Sequence, residues 1–123
     1  MTNGYKQLLA AVILTAAVVT ASAEQQGTKT TISGWVIDSA CTPTKGMDQP
    51  MSKECVMACA KDGPLAILRD DGTVFLAVNG TIPINPKHQK LLPYAGQRVT
   101  ATGREYFRAG LHLLTIETVT AAK

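Results

Sequence analysis

No G-x-S-x-G, H-E-x-x-H, P-loop or dinucleotide fingerprint occurs in the chain, which removes the hydrolase, zinc-protease, nucleotide and nicotinamide chemistries that depend on those spacings. Its two histidines, His88 and His112, stand apart from any nucleophile motif, and His112, between apolar residues, reads as a satisfied surface or core histidine. The acidic pair Asp70-Asp71 is absorbed by a turn. The sequence therefore reads as non-enzymatic. A second paired cysteine motif is also missing, so a zinc ribbon is excluded. Repeats and low-complexity tracts are absent, and no apolar run reaches the roughly 20 residues that a helix needs to cross a bilayer.

The longest apolar run, Leu8 to Val19, follows the single charge at Lys6 and precedes Ala21-Ser22-Ala23. This is the layout of a secretory signal with an A-x-A cleavage site, so residues 1–23 are read as an export leader, with no stable membrane insertion after cleavage. No cysteine follows the cleavage site to carry a lipid. The mature chain then has 11 basic against 9 acidic side chains, a balance that gives no strong steering toward polyanions. At about 100 residues it buries one core, which predicts a single domain over residues 30–120 in the periplasm or outside the cell, after a flexible N-terminus at 24–29.

Along the mature chain, Thr30 to Asp38 is rich in β-branched residues and reads as a strand, with Gly34 marking a bulge or close approach. Ser39 to Pro50 holds turn residues and reads as a loop. Ser52 to Lys61 predicts the principal helix, with Ser52 as its cap, Glu54 in the first turn and Gly63-Pro64 as its stop. Two strands, Leu65 to Arg69 and Thr73 to Val78, flank the hairpin signal Asp70-Asp71-Gly72. Within the long connection Asn79 to Gly96, Pro86 to Leu92 predicts a short helix started by Asn85 and Pro86. Strands from Gln97 to Tyr106 and from Leu111 to Val119 follow, joined at Arg108-Ala109-Gly110.

Five strands, one helix inserted between the first and second and a short helix between the third and fourth, follow the order of an OB-like Greek-key barrel, so the fold class is mainly β. A two-layer α+β sandwich built from the same elements is the rival. The segments GWVIDSAC (Gly34 to Cys41), ECVMACAKDG (Glu54 to Gly63), DDGTVFLAV (Asp70 to Val78) and LLPYAGQRVTATG (Leu91 to Gly103) together resemble a group of small exported bacterial proteins with an OB-fold-like domain and a cysteine-bearing insertion. The resemblance spans nearly all of the mature chain. It implies the fold and the location and brings no catalytic residues with it.

Cys41, Cys55 and Cys59 fall within a 19-residue stretch. In an oxidising compartment two of them pair and one is left over. Cys41 can join either Cys55 or Cys59, tying the loop to the helix, whereas a Cys55–Cys59 bond would close almost no loop. The same cluster also suits a redox-active thiol centre or a soft-metal site for copper or zinc, with Met47, Met51 or His88 assisting and Met57 nearby. Asp38, three residues before Cys41, could orient a ligand but reads more simply as a solvated residue at a strand end.

The remaining candidates form an expected binding face of Trp35, Phe75, Tyr106 and Arg104. OB barrels use such a face for nucleic acid, oligosaccharide or protein. Export removes nucleic acid as the usual ligand and leaves a protein or saccharide partner. The leading expectation is thus an exported interaction module with a cysteine-stabilised loop and helix, and the alternative is a soft-metal or thiol-redox protein.

Overall fold

The computed structural model describes residues 27–46, 52–61, 63–78 and 90–123. The leader, Met47, Met51, His88 and most of the expected helix Pro86–Leu92 lie outside the described residues. Five strands close into a barrel: β1 (Thr28–Asp38), β2 (Leu65–Leu68), β3 (Val74–Val78), β4 (Arg98–Arg108) and β5 (Leu111–Ala121), in the spatial order β1-β2-β3-β5-β4. All neighbours are antiparallel except β3 and β5, which run parallel and close the barrel. A closed barrel, and not the two-layer sandwich, is how these elements pack.

The long strand β1 serves two neighbours. Residues 28–35 pair with β4 and residues 35–38 with β2, so Trp35 lies opposite both Arg98 and Leu68. This changeover demands close approach. A Cβ at Gly34 would stand 2.3 Å from the Leu68 carbonyl oxygen, and one at Gly103 in β4 would stand 1.9 Å from that of Thr115. Only glycine fits where backbones cross at such distances. The register between β4 and β5 also shifts at Thr102/Gly103, the bend that lets a long hairpin wrap round a small barrel.

Alternation sorts the strand residues into two faces. Inside lie Ile32, Val36, Ile67, Phe75, Val99 and Leu114. Val56 and Ala60 join this core from the connection after β1, and Leu91 and Ala95 join it from the connection before β4. On the outer face Ile37, Ala66 and Leu68 form a second buried cluster, flanked by Trp35, Val74 and Leu76. Because β2 is buried on both faces, its sequence is the unbroken apolar run Leu65-Ala66-Ile67-Leu68.

Two local expectations are corrected. The strand β1 begins at Thr28, inside the segment expected to be flexible, because Thr28 and Lys29 pair with Glu105 and Arg104. The stretch read as a loop contains a one-turn helix, α1 (Cys41–Lys45), ahead of the expected helix, α2 (Lys53–Cys59). A 3-10 turn at Leu92–Tyr94 precedes β4. Pro93 sits in its opening positions, where no backbone N–H is needed.

Candidate functional site: a three-cysteine centre beside the barrel

Asp38, the last residue of β1, is 1% exposed. Its carboxylate accepts the backbone N–H of Ala40 at 2.9 Å, the backbone N–H of Cys41, and the Thr42 hydroxyl at 3.1 Å. A buried carboxylate needs partners, and here three donors from the start of α1 supply them. The solvated strand-end reading of Asp38 is therefore replaced by a buried anchor. It also explains α1: the side chain satisfies N–H groups that open the helix, and Pro43 falls in the first turn, where a proline is tolerated.

The second helix is set by its own cap and by the core. Ser52 Oγ accepts the Cys55 N–H at 3.2 Å, as its sequence position predicts. Val56 is fully buried among the barrel residues, which fixes the rotation of α2. Cys55 and Cys59, one turn apart, then share a partly buried face, while Met57 points away and is exposed.

A disulfide joins Cys41, the first residue of α1, to Cys59, the last of α2, with the two Cα atoms 6.9 Å apart. Of the two partners open to Cys41, the chain uses Cys59, and Cys55 keeps a free, partly buried thiol. The three sulfur atoms all lie within 4.8 Å of one another. The cluster foreseen in the sequence is thus assembled in space, as one disulfide with a thiol alongside.

No protein family, curated protein or solved structure matches this chain. The chemistry of the cluster and the faces of the barrel are what bear on function.

The four residues of the expected binding face do not share a face. Trp35 and Tyr106 lie on the outer side, and Arg104 is exposed there, with its guanidinium 3.5 Å from the Gly27 carbonyl oxygen. Phe75 points inward and is buried in the barrel core. The outer side of β3 is carried by Leu76, one residue along, and in a strand one residue exchanges inside for outside. Following the register from Leu76 gives an apolar row across all five strands: Ile37, Ala66, Leu76, Leu113 and Tyr106. The row begins one residue before Asp38, next to the start of the cysteine segment.

Sequence reading missed a second cluster, at the β4–β5 end of the barrel. The His112 Nδ1 lies 2.5 Å from a Glu105 carboxylate oxygen, and the imidazole is flanked by Phe75 and Phe107, with ring centroids 5.0 and 4.6 Å away. Phe107 is 55% exposed and Leu111 51%. These residues meet through the hairpin register, Phe107 opposite His112 and Arg108 opposite Leu111, a relation that fixed sequence motifs do not encode.

Charged pairs secure the β2–β3 turn. The Arg98 guanidinium donates to both Asp70 carboxylate oxygens, at 2.7 and 2.6 Å, and holds that carboxyl below its usual range. Arg69 pairs with Asp71, whose Oδ1 also accepts the Thr73 N–H, and these bonds depress the Asp71 carboxyl in the same way. The turn reading of both aspartates stands, with a long-range tie to β4 added.

Proposed function

We propose that the chain is an exported thiol-redox protein: an OB-like Greek-key barrel, delivered by the leader at 1–23, whose β1–β2 connection carries a cysteine centre for thiol–disulfide exchange. The observation that carries this reading is the placement of the Cys55 thiol with its sulfur within 4.8 Å of both sulfurs of the Cys41–Cys59 disulfide. The strand order with parallel β3 and β5 supports the OB-like topology, and the disulfide supports an oxidising compartment.

Exchange proceeds through mixed disulfides. A substrate thiolate attacks Cys59 or Cys41, forming a new S–S bond and expelling the other cysteine as a thiolate. A second substrate thiolate then displaces the protein sulfur, so a dithiol becomes a disulfide and Cys41 and Cys59 become thiols. Cys55 supplies an internal nucleophile. It can attack the mixed disulfide, re-form a bond within the protein and release the substrate thiol.

The test is incubation of the oxidised protein with a reduced two-cysteine peptide, followed by acid quench, alkylation and peptide mass spectrometry. The expected result is about one peptide disulfide per protein, with Cys41 and Cys59 newly alkylated and Cys55→Ser accumulating the mixed disulfide. A Cys41–Cys59 bond that stays intact while the peptide stays reduced would overturn the reading.

The partly exposed members of the apolar row on the outer face favour a second reading, an exported interaction module that binds a protein partner over Leu76, Leu113 and Tyr106. Replacement of Leu113 by Asp should abolish capture of that partner without altering thiol exchange.

A further inference from the structure

We infer that the reduced form of the cysteine centre is a binding site for a single copper(I) ion, held by the thiolates of Cys41, Cys55 and Cys59. The inference deepens the thiol-redox reading and rests on it in one respect: the Cys41–Cys59 bond must open. Opening takes two electrons and two protons, supplied by a dithiol that leaves as a disulfide, and gives two thiols beside the existing thiol of Cys55.

Geometry and donor chemistry select the ion. The three sulfurs lie within 4.8 Å of one another, while metal–sulfur bonds of about 2.3 Å in a trigonal plane place sulfurs about 4 Å apart. The backbone already holds the ligands in position. Cys41 is fixed by the Asp38 carboxylate through its N–H, and Cys55 and Cys59 are one turn apart on a helix anchored by buried Val56. Among the described residues no fourth histidine, cysteine or carboxylate joins the group. Structural zinc is almost always four-coordinate, whereas copper(I) is the softest common partner for thiolates. Binding moves no electron: the three thiols lose their protons as the metal–sulfur bonds form.

The site and the disulfide exclude each other, because two of the three ligands are the disulfide sulfurs. Oxidation therefore ejects the metal, and bound copper(I) protects Cys41 and Cys59 from oxidation. The cluster would thus read the redox state of its compartment as metal loading.

The full chain without its leader, reduced chemically and handled without oxygen, is titrated with copper(I) against a chromogenic copper(I) chelator. Chemical reduction makes the result independent of whether the disulfide exchanges with a peptide, so the two readings can fail separately. One copper(I) per protein is expected, with a thiolate-to-copper absorption in the ultraviolet, and loss of at least tenfold in affinity for Cys55→Ser. This variant keeps both Cys41 and Cys59, and circular dichroism of the reduced variant beside the reduced parent verifies that both are folded. The oxidised protein should leave all copper with the chelator. Copper(I) held equally by the Cys55→Ser variant or by the oxidised protein would overturn the inference, as would full retention of copper by the chelator. A parallel titration with zinc alone should show weaker binding; tighter binding of zinc than of copper(I) would also overturn it.

Discussion

The buried carboxylate of Asp38 accepts the backbone N–H of Cys41, so the last residue of β1 fixes the first residue of α1. Replacing Asp38 by Ala leaves two backbone N–H groups and the Thr42 hydroxyl without their acceptor. A loss of about 2–3 kcal/mol is expected from hydrogen bonds to a charged group, measured by urea denaturation. The Cys41–Cys59 bond should become more readily reduced at the same time, as alkylation under a graded dithiol buffer would register.

The disulfide closes a loop spanning 18 residues of sequence separation, for which the chain-entropy relation gives about 3 kcal/mol. Cys41→Ser should lose about that much in denaturant unfolding. Cys59→Ser should lose less, because the Cys55 sulfur lies near enough to take over as partner of Cys41. Peptide mapping without reductant should find a Cys41–Cys55 bond in that variant.

Acid should weaken the tie between the β2–β3 turn and β4. The Asp70 carboxyl is held below its ordinary value chiefly by its hydrogen bonds to Arg98. Its contribution to stability is therefore complete above the unfolded carboxyl range, near pH 4, and lost as pH falls through the lower folded value. In Arg98→Ala the Asp70 carboxyl should titrate close to its ordinary value, as NMR of the carboxyl carbon would show.

Two backbone crossings leave no room for a methyl group. Gly103→Ala would drive a Cβ to 1.9 Å from the Thr115 carbonyl oxygen. Backbone on both sides cannot yield cheaply, so a loss of about 3 kcal/mol is expected from chemical denaturation. Gly34→Ala, facing the Leu68 carbonyl, should behave similarly.

Local chemistry carried most of the fold into the sequence. Ser52 as a cap, Asp70-Asp71-Gly72 as a turn and the β-branched runs each act over a few residues, so each can be recognised without a partner. What stayed hidden depended on distant partners. The one-turn helix at Cys41 needs the Asp38 carboxylate to turn inward, against the ordinary habit of an aspartate at a strand end. Phe75 and Leu76 are both apolar, and only pairing with Ile67 and Ala66 decides which faces the core. The cysteine cluster was legible as a group because the three residues are close in sequence, yet Cys55 and Cys59 share one helix face, so local spacing does not distinguish Cys59 from Cys55 as the partner of Cys41. The Glu105–His112–Phe107 cluster depends on hairpin register alone and had no local signature.

The changeover of β1 has an optical consequence. Trp35, the protein's single tryptophan, stands where one strand is shared between β2 and β4. Its indole is an intrinsic fluorophore at the seam where the two halves of the barrel meet. Parting of β1 from either neighbour would change the surroundings of this one emitter, so closure of the barrel can be followed in real time with no added label.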